Sequence, residues 1–206
     1  MAAVQRSMAS TTQQHTQVTS EAKRRLQPAA LGLAGIEAVI GFEWLLSGLD
    51  KVMSPTFSSG LARQMQDAVQ GNPNTWWATL ATRLVIPHAR IFALFAEASE
   101  LFVALGFFIG AILWATGMIQ EKRWTRRLNV ITLGAVVTSL GLTANYYLMS
   151  GFTLPGLNPG TPFQEGLDID GLLLLLGVGF LGVHLSALKR PAKRATPKLQ
   201  MAKRAA

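Results

Sequence analysis

Of 206 residues, 50% are hydrophobic, 15% are charged and none is cysteine. That balance is too apolar for an ordinary soluble domain and fits a polytopic membrane protein of single-domain length. The missing thiols exclude disulfides, thiolate metal sites, cysteine-ligated iron–sulfur clusters and thiol redox chemistry within the chain, and the formal charge of +8 falls in short segments between and beyond apolar stretches, which points to a lipid bilayer as partner and not to nucleic acid.

Residues 1–28 are polar, rich in Ser, Thr and Gln, and end on Lys23, Arg24 and Arg25, which predicts a disordered basic tail and not a cleaved signal peptide. A first span follows over residues 29–49. It carries Gly32, Gly35, Gly41 and Gly48, small residues that let membrane helices approach, together with Glu37 and Glu43. In residues 52–87, Ser54-Pro55 is a helix start, and Phe57, Leu61, Met65 and Val69 then recur every four residues opposite Arg63, Gln64, Gln66 and Asp67. The pattern fits an amphipathic helix on the membrane surface and equally a helical cap packed on a bundle. Gly71-Asn72-Pro73 ends it, and Trp76 and Trp77 suit the headgroup level.

The second span, residues 88–119, includes Glu97, Glu100 and a GxxxG pair at Gly106 and Gly110; it exceeds what a bilayer needs and must tilt, kink or protrude. A basic loop at 121–127 leads to a third span over 128–149, ending in Asn145, Tyr146 and Tyr147. A Pro/Gly-rich loop without Lys or Arg precedes a fourth span over 169–188, entered through Asp168 and Asp170; residues 189–206 form a second basic tail. The expected fold class is therefore all-α: a four-transmembrane-helix bundle (residues 29–188) with an outward-facing amphipathic helical cap between the first and second spans. The two tails and the 121–127 loop hold 15 of the 19 Lys and Arg residues, so by the positive-inside rule both termini are cytoplasmic.

Acidic residues inside a membrane span cost roughly 2.5–3.5 kcal/mol each at mid-helix, and four of them exceed what helix gluing needs at about 0.6–2 kcal/mol per polar contact. Depth counted at ~1.5 Å per residue sets Glu43 level with Glu97, and Glu37 level with Glu100. Arg90 and Glu97, seven apart, share a helix face. Lys51, Arg90, Asp168 and Asp170 fall at the outer mouth, with Asn145 and Tyr146 just below. Asp168 and Asp170 suit a helix N-terminus as well as a site. His184 stands alone near the inner end of the fourth span, where backbone or water satisfies it. No GxGxxG or P-loop occurs, His88 and His184 fall at opposite faces and cannot share a haem, and the Glu-x-x-His pairs of di-metal bundles are missing, so the sequence contains no cofactor motif and no predicted metal ligands.

The first span ending in Gly48-x-x-Lys51, the second carrying Glu97 and Glu100 before a glycine-rich apolar run, the NYYLMSG segment from Asn145 and the GLDIDGLLLLL run from Gly166 resemble the DoxX/DoxD-type membrane proteins. The later motifs resemble the DoxD branch, the membrane subunit of thiosulfate:quinone oxidoreductase. The resemblance covers roughly residues 30–188. It implies a multi-pass protein of a bacterial or archaeal plasma membrane, quinone as electron acceptor, thiosulfate oxidised at the outer face and a second oxidoreductase subunit as partner. On that reading Glu97, Glu100 and Glu43 are the catalytic, protonic residues, because quinone reduction consumes protons and buried carboxylates can carry them. Lys51 and Arg90 would face an anionic substrate at the mouth, with Asn145, Tyr146, Asp168 and Asp170 as further substrate-binding residues. The alternatives are a non-catalytic membrane scaffold that docks a redox enzyme, and a proton-coupled transporter of small solutes.

Overall fold

The computed structural model describes residues 2–120, 123–151 and 169–189, and among these every regular element is helical. The elements are α1 (Ala2–Met53), α2 (Phe57–Val69), α3 (Thr75–Leu80), α4 (Ala89–Ala115), α5 (Arg123–Met149) and α6 (Ile169–Lys189). Asp168, with the rest of residues 152–168, and the basic C-terminal tail beyond Lys189 lie outside the described residues. Helical geometry starts at Ala2, where composition predicts a disordered tail, and α1 runs on through Pro28. The Ala, Gln, Glu, Lys and Arg content of that stretch favours a helix once the first span supplies the nucleus.

Four helical stretches, Pro28–Met53, Thr75–Ala115, Trp124–Met149 and Ile169–Lys189, are long and apolar enough to cross a membrane. Their surface confirms the solvent they are built for. Val39 is 71% exposed, Phe95 64% and Leu175 64%, while Glu37, Glu100 and His184 are 0% exposed. In water that arrangement would be inverted; in hydrocarbon the apolar side chains face lipid and the polar ones must find partners inside. The chain is a multi-pass membrane protein.

Packing follows α1–α4–α5–α6, with each helix antiparallel to the next. The bundle closes around a shared core of Ile40 and Trp44 of α1, Val103, Ala104 and Phe107 of α4, Val136 of α5 and Phe180 of α6. Glycines set the close approaches. Gly41 lies against Ala104 and Phe107, Gly48 against Glu100 and Leu101, and Gly106 against Ala135. The Gly106/Gly110 pair thus serves packing within one bundle, its two glycines facing α5 and α1.

This α1–α4 register corrects the depths expected from the sequence. Glu37 lies opposite Gly110, not Glu100, and Glu43 is exposed and has no level partner in Glu97. The offset amounts to two to three turns. It arises because counting from presumed span ends ignores that α1 continues past residue 49 to Met53 and that the second span is not one straight helix. A π-helical turn at Ala81–Val85 and a 3-10 turn at Ile86–His88 separate α3 from α4. Pro87 accounts for the break, since it lacks the N–H for the α-helical ladder and its ring crowds the preceding turn.

The amphipathic stretch is a packed cap. Leu61 and Met65 of α2 are buried with Trp77, Ala81, Ala89 and Ala93, and Phe57 and Val69 pack around them. Asn72 ties this cap to the bundle: its Nδ2 donates to the carbonyls of Ala68, Leu148 and Met149, the last two being orphan acceptors at the C-terminal end of α5. One end of the bundle therefore carries Met53, α2, α3 and Met149; the other carries Ala115, Trp124 and Lys189.

Candidate functional site

Along the bundle α1 contributes a stripe of Ala34, Glu37, Ile40, Gly41, Trp44 and Gly48, all buried on one helical face. Lys51 continues that stripe one turn further, so its stem is held against the bundle while only 20% of the side chain is exposed. Its Nζ donates to Glu100 Oε2 at 2.9 Å and to Ser47 Oγ at 2.8 Å. The same ammonium stands 5.8 Å from the ring centroids of both Phe57 and Tyr146, within the range of cation–π attraction. Glu100, on the buried face of α4, accepts a second hydrogen bond at Oε1 from the Tyr146 hydroxyl of α5. Each carboxylate oxygen thus has a donor from a different helix, which is what a charge buried in a bundle requires.

Two further features complete this end. Trp44 stacks on Tyr146 with centroids 6.4 Å apart, and its Nε1 is buried without a partner. Asp170, in the first turn of α6, lies within electrostatic reach of the Tyr146 hydroxyl. The resulting cluster joins α1, α4 and α5, with α6 at its edge: a cation, a carboxylate, a phenol and a free indole N–H.

Of the residues singled out from sequence, Glu100, Lys51 and Tyr146 meet directly and Asp170 stands nearby. Asn145 is elsewhere, accepting at Oδ1 from Trp77 Nε1 at 3.0 Å, so it anchors α3 to α5. Glu97 is half-buried and Arg90 exposed; the pair shares a face of α4 but joins none of the cluster's contacts. Glu43 points away from the bundle interior and is exposed, which removes it from the cluster. On a helix at 3.6 residues per turn, position 43 falls more than 90° from the Glu37–Trp44 stripe. Asp168 lies outside the described residues. Ser47, Trp44 and Phe57 were not anticipated, although the spacing of Ser47 four residues before Lys51 carries the signal.

A second polar cluster occupies the far half of the bundle. His184 is not alone. Its Nε2 is 2.6 Å from Glu37 Oε1 and its Nδ1 is 2.6 Å from Asn129 Oδ1, with all three side chains buried. Asn129 Nδ2 donates to the His184 carbonyl at 3.3 Å. Between the two clusters lies the apolar core of Ile40, Val103, Phe107, Val136 and Phe180. Glu37 and Glu100 thus belong to separate sites. Among the described residues no group of three or more His, Cys, Asp or Glu side chains is placed to hold a metal ion. No family model, no curated protein and no solved structure matches the chain.

Proposed function

We propose that this chain is a DoxX/DoxD-like subunit of a bacterial or archaeal plasma membrane that takes part in quinone-linked oxidoreduction, with thiosulfate as the electron donor implied by the resemblance. Its Lys51–Glu100–Tyr146 cluster is the quinone site. The observation that carries the reading is the buried Glu100 carboxylate held between an ammonium and a phenol inside lipid-facing helices. A quinone carbonyl needs hydrogen-bond donors, and the Trp44 N–H, buried and unpartnered beside Tyr146, is one that nothing else engages. The donor set therefore fits the ligand.

Reduction of a quinone to a quinol takes up two electrons and two protons. Lys51 and Tyr146 both carry protons, and Glu100 links them through its two oxygens, so a proton leaving either can be replaced through the carboxylate. The electrons come from the donor directly or through a redox partner subunit. Both termini are cytoplasmic on this reading, which sets the cap and the quinone site toward the outer leaflet.

Purified chain in detergent is expected to bind a quinone analogue, and Glu100→Gln is expected to weaken binding about tenfold, because Lys51 and Tyr146 lose the charged hydrogen bonds, worth about 1.5 kcal/mol each, that hold them as donors. Titration of analogue fluorescence reads this. Unchanged affinity in both Glu100→Gln and Tyr146→Phe removes the site. Absence of thiosulfate-dependent quinone reduction by the chain alone, together with a co-purifying redox subunit, assigns it the docking role instead.

A further inference from the structure

The quinone site makes no use of Glu37, His184 and Asn129, yet all three are fully buried. We propose that this triad is a separate proton-binding site that exchanges its proton with the bundle end carrying Lys189. The assignment rests on hydrogen-bond bookkeeping. Asn129 donates through Nδ2 to the His184 carbonyl, which turns its Oδ1 toward His184 Nδ1. An amide oxygen only accepts, so Nδ1 carries the hydrogen. His184 Nε2 and Glu37 Oε1 then stand 2.6 Å apart, too close for two bare acceptors. One proton lies between them, on the carboxyl or on the imidazole. Both forms have the same net charge of zero, so the proton shifts between the two groups without changing the charge buried at the site.

A tie between helices would satisfy both carboxylate oxygens. Here Glu37 Oε2 is buried with no partner. It lies where a side chain at Gly110 would stand, so the absence of a Cβ in α4 is what makes room for it. The Trp114 ring also packs near the imidazole, its centroid 6.1 Å from that of His184, and its Nε1 is likewise buried and unpartnered. An orphan acceptor and an orphan donor around one imidazole are the groups that a proton-carrying water uses. Because Asn129 locks Nδ1, exchange runs through Glu37.

The charged surroundings set the direction. The stretch of α4 facing the triad has no titratable side chain; α1 presents Glu37, with Glu43 exposed on another face; α5 presents Asn129, with Arg126 and Arg127 exposed within a turn; α6 has Lys189 beyond His184. His184 is about 8 Å of helix from Lys189, whereas Glu100 is about 15 Å of helix from Gly110. The apolar residues between the clusters, Phe107 and Phe180 among them, separate the triad from the cap end.

The full chain in nanodiscs, labelled with 15N-histidine, tests this on transfer to deuterated buffer. The His184 resonance is identified by its loss in His184→Gln. Deuterium is expected to reach the pair within minutes, far ahead of the buried backbone amide of Phe180, and to shift both the imidazole signal and a carboxyl infrared band that Glu37→Gln removes. Glu37→Gln is also expected to move the Nε2 signal while leaving quinone-analogue binding as it was. Exchange as slow as the Phe180 amide makes the triad a static tie and overturns the proposal. A folded Glu37→Gln with unchanged Nε2 signal and carboxyl band overturns it equally. Where these variants fail to fold, the His184 signal is assigned as the one that remains in His15→Gln combined with His88→Gln, and its exchange rate decides.

Discussion

Glu100 gives up all contact with solvent and is compensated by Lys51 and Tyr146. Removing one partner of such a pair costs more than removing both, because the survivor is left charged and unpaired. Lys51→Met is therefore expected to lower stability by about 3 kcal/mol, and Lys51→Met combined with Glu100→Gln to recover part of that loss. Thermal unfolding in detergent measures both; equal destabilisation by the single and the double variant means the pair is not coupled. The sequence marks the carboxylates as costly but does not say which are compensated. Four glutamates with the same intrinsic cost end in different states: Glu37 and Glu100 buried, Glu97 half-buried, Glu43 exposed. Helix rotation decides between them, and rotation is fixed by which face the glycines let approach.

At the scale of the element, Gly110 is the position where a single methyl reaches the His184 cluster. A Cβ there meets Glu37 Oε2 and comes within 2.8 Å of Thr132 Cγ2. Gly110→Ala is expected to destabilise by about 1–3 kcal/mol, as overpacking does, and to displace the Glu37 carboxyl from His184. Gly141→Ala in α5 meets nothing within 4 Å and serves as the control, expected to be neutral or slightly stabilising. Chemical denaturation of the two variants side by side checks this; equal effects would remove the close-packing argument. The cap shows what periodicity can and cannot carry. Phe57, Leu61, Met65 and Val69 announce a helix with one apolar face, and α2 forms over those residues. Whether that face meets lipid or protein depends on Trp77 and Ala93, which come from other turns of the chain.

The whole molecule is a bundle turned inside out relative to a soluble one, and its two ends differ chemically. The cap end holds the Lys51–Glu100–Tyr146 cluster, and the far end leads from the His184 triad toward Arg126, Arg127 and Lys189. The chain contains no cysteine, so single cysteines can report its orientation without background. Gln66→Cys on exposed α2 and Arg126→Cys on exposed α5 are expected to react with an impermeant maleimide from opposite sides of the membrane, Gln66→Cys in intact cells and Arg126→Cys only after permeabilisation. Labelling of both from one side contradicts the topology; a reversed pattern places the Lys51–Glu100–Tyr146 cluster at the inner leaflet.

Composition and the spacing of apolar runs determine by themselves that this is an all-helical, four-span membrane protein with an amphipathic helix between the first two spans, because those properties depend on local transfer energies and on helical period. Only the tertiary structure decides that Lys51 meets Glu100, that Glu43 does not meet Glu97, and that His184 joins Glu37 and Asn129 across 147 and 55 residues of sequence. Register and rotation between helices follow from glycine contacts such as Gly48 on Leu101 and Gly110 on Glu37, whose partners no single helix contains.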